Sequence, residues 1–81
     1  MRETAYWVEE TLEDGQTRYC VMGQDRHRPG VCVSRTYADA GAAWGQAERL
    51  ATRGGTGQRT TMPDWATPTD RGHKVAWVVR E

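Results

Sequence analysis

Three stretches of this 81-residue sequence predict an α+β fold: a small antiparallel β-meander of three strands, one helix packed across it and a C-terminal fourth strand. First, Asp14-Gly15 separates "AYWVEETL" from "TRYCVM", two runs rich in β-branched and aromatic residues. Asp-Gly in such a setting is the strongest short-range hairpin signal. Second, "TYADAGAAWGQAERLATRGG" repeats apolar residues at helical spacing. Third, "KVAWVVR" alternates as a strand does. The order is β-β-β-α-β. A chain of this length holds one core, so residues 1–81 form a single domain.

With Asp14 and Gly15 central to the turn, Glu13 faces Gln16, and Leu12, Glu10 and Val8 stand opposite Thr17, Tyr19 and Val21. One face then carries Tyr6, Val8, Leu12, Tyr19 and Val21. The other carries Trp7, Glu9, Thr11, Arg18, Cys20 and Met22, because side chains alternate along a strand. After the tip "GQDRHRPG", the run "VCVSR" reads as the third strand. The register that keeps Val31 and Val33 on the first face sets Cys20 directly opposite Cys32, with Cα atoms about 4.5 to 5.5 Å apart. A disulfide fits that spacing without being required. The helix starts at Thr36 as N-cap, with Asp39 three residues on, and ends at Gly54 or Gly55. Its buried stripe is Ala40, Ala43, Trp44, Ala47, Leu50 and Ala51. From 54 to 72 the chain is rich in Gly, Thr and Pro without period, which predicts a long flexible loop. The fourth strand groups Val75, Trp77 and Val79 on one side; its place in the sheet is left open.

Composition narrows the function. Eleven basic residues balance eleven acidic ones, which removes the global positive field of a dedicated nucleic-acid binder. No apolar run approaches the roughly 18 residues of a membrane span, and the first ten residues lack a signal-peptide core. The expected location is cytoplasmic, in a bacterium or a phage-infected host, with the cysteines reduced. Ten of the eleven basic residues are Arg, and Phe and Ile are absent, a bias that fits a GC-rich bacterial genome or its phage.

Catalytic constellations are weak. Zinc needs four ligands from short-spaced Cys or His pairs, and Cys20, His27, Cys32 and the distant His73 do not supply them, so neither metal nor cofactor is expected. Ser34 is the lone serine and nothing brings a base to it, so no enzyme activity is expected. Glu9, Glu10, Glu13 and Asp14 flank a turn and read as a solvated edge.

Two surfaces remain. Trp7 and Met22 are neighbours on the sheet face away from the helix, where an antiparallel sheet open to water should be polar. Trp and Met are enriched at interface cores, and the 54–72 loop adds Met62 and Trp65, either as a lid over that face or, in the favoured reading, as an anchor for a partner. The expected function is therefore a non-enzymatic protein-binding module that uses this face and the loop. Its partner is a protein, a second copy of itself included, and its size and composition suit an accessory or inhibitory protein of a phage or mobile element. The alternative is nucleic-acid binding through Arg18, Arg26, His27, Arg28 and Arg35 of the 18–35 hairpin. A further alternative is thiol redox chemistry at the Cys20/Cys32 pair.

Overall fold

A computed structural model describes residues 2–69 and 73–81. It is a five-stranded antiparallel sheet with one helix on it, in the spatial order β3-β2-β1-β5-β4. The strands are β1 (Glu3–Glu13), β2 (Gln16–Asp25), β3 (Val31–Cys32), β4 (Gly57–Thr61) and β5 (Val75–Arg80); the helix α1 is Ala40–Thr52. The predicted hairpin register holds along its whole length, from Glu13↔Gln16 through Val8↔Val21 to Thr4↔Asp25. Asp14 and Gly15 both take positive φ, 53° and 77°, the geometry whose twist suits a two-residue hairpin.

Helix α1 lies on the predicted face. Ala43 and Ala47 pack on Val8 and Val21, and Tyr6, Tyr19, Leu50 and Trp77 close around them. Small residues bring the helix backbone close to the sheet. The approach is tightest at Gly57, where a Cβ would collide with the carbonyl of Ala51.

Four expectations change. The helix is capped by Asp39, whose carboxylate accepts from the Ala42 amide at 3.2 Å, and not by Thr36. Tyr37 still bridges Tyr19, with backbone bonds of 2.7 and 2.8 Å, so the chain is extended at the point where a helix from Thr36 would have begun. The third strand is two residues long, because the Val21 amide donates to the Ser34 hydroxyl at 3.0 Å and a side chain thus stands where a strand would offer a carbonyl. Its register is also moved by two: Cys32 stands opposite Met22, and Val31 opposite Gly23. Strand β2 runs on beside β1 as far as Asp25, which delays the tip and its return. The shift is even, so every side chain keeps its predicted face.

The fourth change concerns the 54–72 segment, which is not one long loop. Residues 57–61 form β4 along the outer edge of β5, with Arg59 opposite Trp77. Beyond it, Met62, Trp65 and Ala66 pack on Ala5, Trp7, Ala76 and Val78, on the sheet face opposite the helix. Residues 70–72 of the predicted loop lie outside the described residues. The domain is therefore layered helix, sheet, strap.

Candidate functional site

The face expected to await a partner is covered by the chain's own 62–69 segment, the lid alternative. Trp7 has no exposed surface, and its indole Nε1–H donates to a Glu9 oxygen at 2.7 Å. The 62–69 strap is tied down by two polar side chains from the sheet. Gln24, 4 % exposed, donates to the carbonyls of Arg28 and Trp65 at 2.9 and 3.3 Å. Its oxygen accepts from the Thr67 amide and hydroxyl at 2.8 and 3.2 Å. Glu9 accepts from the Thr69 amide at 2.9 Å and from the Thr69 hydroxyl at 2.7 Å. Buried polar groups stabilise a fold when their bonds are all made, and these two side chains make theirs to the strap. Of the residues expected to anchor a partner, then, Trp7 is core, and Met22, Met62 and Trp65 are half-buried against it. The structure brings all four together as an internal cluster. Glu9, read from the sequence as a solvated edge, is 7 % exposed; the signal for it was its alternation with Trp7.

Three carboxylates are held below their ordinary range. At Glu9 burial opposes ionisation, yet the bonds from Trp7 and Thr69 outweigh it. Glu3 is lowered first by its hydrogen bond from Arg26, with Arg80 adding to it, and Asp25 first by the Thr4 hydroxyl and then by Arg2. A lowered folded pKa means that the stability contributed is fully present above the unfolded value and lost as pH falls through the folded one. The thermal midpoint should accordingly hold down to about the ordinary glutamate value of 4.5 and fall in more acidic solution. In a Glu9→Gln variant the acid slope should be shallower. An acid slope identical in parent and variant would show that Glu9 carries none of it.

The arginines of the 18–35 hairpin do not form one surface. Arg18 and Arg26 are eight residues apart in extended chain, roughly 27 Å. Most are also engaged. Arg18 donates to Thr36 and lies 4.0 Å from Glu13, Arg26 pairs with Glu3 at 2.6 Å, and Arg35 stacks over the Tyr37 ring at 5.0 Å. His27 is exposed at the tip with φ 73°. Among the described residues Arg28 has no carboxylate within 4 Å.

Cys20 and Cys32 are both free, the first buried and the second exposed. They share a face, diagonally placed. Burial, the Cys32 thiol and the Glu9 charge together push the Cys20 thiol up to about 11, which keeps it protonated and makes it a poor nucleophile at neutral pH. Among the described residues no three His, Cys, Asp or Glu side chains form a metal-binding group. No helix among them is long and apolar enough to cross a membrane.

An open concavity lies on the helix side, beyond the edge of α1. The helix packs on β1, β2, β5 and β4 and leaves β3 and the end of β2 uncovered. There Tyr6, Gly23, Pro29, Val31 and Val33 form the apolar part of a groove of about 450 Å³, with Arg2, Thr4, Asp25 and Arg28 around it. Gly23 makes room for the floor: a Cβ there would meet Val33 at 3.0 Å and Tyr6 at 3.2 Å. Val31 and Val33 are 56 % and 44 % exposed. Sequence reasoning assigned these valines to the correct face but took the helix to cover them. Comparison with protein-family models, with curated proteins and with solved structures finds no match.

Proposed function

We propose that this chain is a non-enzymatic protein-binding module whose contact surface is the Tyr6/Val31/Val33 groove and the β3 edge beside it. The observation that carries this reading is the pair of half-exposed valines, Val31 on the edge strand and Val33 just beyond it, set in a concavity with a guanidinium, Arg28, that makes no ion pair within 4 Å among the described residues. An unprotected sheet edge is a template for another strand. The occupant that fits is an extended segment of a partner protein, adding to the sheet beside β3. It would place alternate apolar side chains in the groove and a carboxylate against Arg28.

A role as an accessory or inhibitory protein is consistent with this mode, since a bound segment is thereby sequestered. The spread and engagement of the arginines favour nucleic-acid binding less. The diagonal placement and protonated state of the thiols favour redox chemistry less.

The test is a photo-crosslinking residue introduced at position 33 in the cell that makes the protein, with position 12 as the control. Leu12 is 76 % exposed at the far end of the hairpin. The expected result is one discrete protein adduct from position 33 that is absent from position 12, identified by mass spectrometry and lost when Val31→Asp is added. An adduct of the chain with itself would make the partner a second copy. No adduct, or the same adducts from both positions, would overturn the reading.

A further inference from the structure

The strap side of the sheet holds a cluster of sulfur atoms that the protein-binding reading does not use. Cys20 and Met22 are alternate residues of β2 and so project to one face; their Sγ and Sδ atoms are 3.9 Å apart. Cys32 is the cross-strand partner of Met22, which puts its side chain on the same face, where its thiol donates to the Ser34 carbonyl at 3.2 Å. Three soft donors thus lie as neighbours on one face of two strands, and rotation of the exposed Cys32 thiol away from Ser34 would turn it to the other two. Three sulfurs around one ion, with metal–sulfur bonds of about 2.3 Å, stand about 4.0 Å from each other in a trigonal plane. The Cys20–Met22 separation already has that value.

We propose that Cys20, Met22 and Cys32 bind one soft monovalent cation of the Cu(I) type, as two thiolates and a thioether. This ligand set selects Cu(I) over harder ions, because thiolate and thioether sulfur are soft donors, and a thioether is a poor ligand for zinc. On binding, the two S–H bonds break and their protons pass to solvent. Two metal–thiolate bonds and one thioether bond form, and the copper stays Cu(I) throughout. Entry is from the solvent side, where Cys32 is exposed, and the inner wall is Cys20, which is buried. Glu9 stands opposite Cys20 in the ladder, but its oxygens are occupied by Trp7 and Thr69; it is a wall and not a ligand. A disulfide suits the pair less well, since diagonal residues have Cα atoms about 7 to 8 Å apart, beyond the span a disulfide bridges without backbone movement.

The experiment is an anaerobic titration of the reduced protein with Cu(I) against a coloured Cu(I) chelator, with X-ray absorption used to count the sulfur neighbours. One equivalent should be withdrawn from the chelator, with three sulfur scatterers around copper. Met22→Leu should weaken binding by about tenfold or more, and Cys32→Ser should abolish competition with the chelator. Cys32 is exposed, so the folding of Cys32→Ser can be confirmed by an unchanged thermal midpoint. Excess Zn(II) should not displace the copper. No withdrawal of copper by the parent, or affinity unchanged in both variants, would overturn the proposal.

Discussion

Trp7→Ala should be among the most damaging single substitutions in this domain, lowering stability by about 3 to 5 kcal/mol, the range for truncating a large buried aromatic. Trp7 is the largest fully buried side chain. It sits at the centre of the Ala5/Ala76/Val78 cluster, whose other fully buried members are small, so few neighbours could collapse into the space. Its loss also leaves a Glu9 oxygen without the indole donor, and an orphaned buried acceptor adds its own penalty. An 81-residue domain has a thin margin to absorb this. Denaturant unfolding should show a large fall in the midpoint. A fall under about 1 kcal/mol would mean that the strap face is not the core it is taken to be. Trp44, the largest residue of the predicted helix stripe, is half-buried and packs beside both clusters, and its truncation should cost less than that of Trp7.

Trp65→Ala should also destabilise the fold, by about 2 to 4 kcal/mol, because the ring packs on Trp7's cluster and its carbonyl is held by Gln24. The sequence favoured the opposite outcome, in which Trp65 waits for a partner and its removal leaves folding intact. In the sequence the glycines at 54, 55, 57 and 72 favour that outcome by making the segment costly to order; Gly72 lies outside the described residues. In the structure two of them serve other ends. Gly55 turns the chain out of the helix with φ 76°, its amide donating to Thr52 at 2.8 Å, and Gly57 admits the helix backbone. Unchanged stability in Trp65→Ala would restore the anchor reading. If the loss is as large as expected, thermal unfolding of Gln24→Ala should show a smaller loss of the same kind, since it removes the ties and spares the ring.

What was legible followed from local chemistry. Asp14-Gly15 fixes its own turn, and the turn fixes the register of all ten pairs of β1 and β2. The alanine stripe fixes which helix face is buried. What was not legible was decided at a distance. Strand β4 reads "GQRTT", without alternation, because it is an edge strand with little to bury. The strap is chosen by Gln24 and Glu9, which lie 43 and 60 residues from Thr67 and Thr69. The shortness of β3 turns on one hydroxyl, that of Ser34, and its two-residue slip on how far β2 runs beside β1. The groove followed from the same kind of non-local cause. Val31 and Val33 have a core pattern, and only because the helix packs on β1, β2, β5 and β4 and stops short of β3 are they left open.

The central claim is that the strap closes the second face of the sheet, which moves the contact surface from Trp7 to the Val31/Val33 groove. Amide hydrogen exchange at Thr67 and Thr69 tests it most directly, because these two amides are bonded to the side chains of Gln24 and Glu9 at 2.8 and 2.9 Å. A closed strap predicts that both exchange much more slowly than in an unfolded chain, and that their protection falls together in acid as Glu9 is protonated. Exchange of both amides at unfolded-chain rates, in a protein whose β1 and β2 amides remain protected, would contradict it.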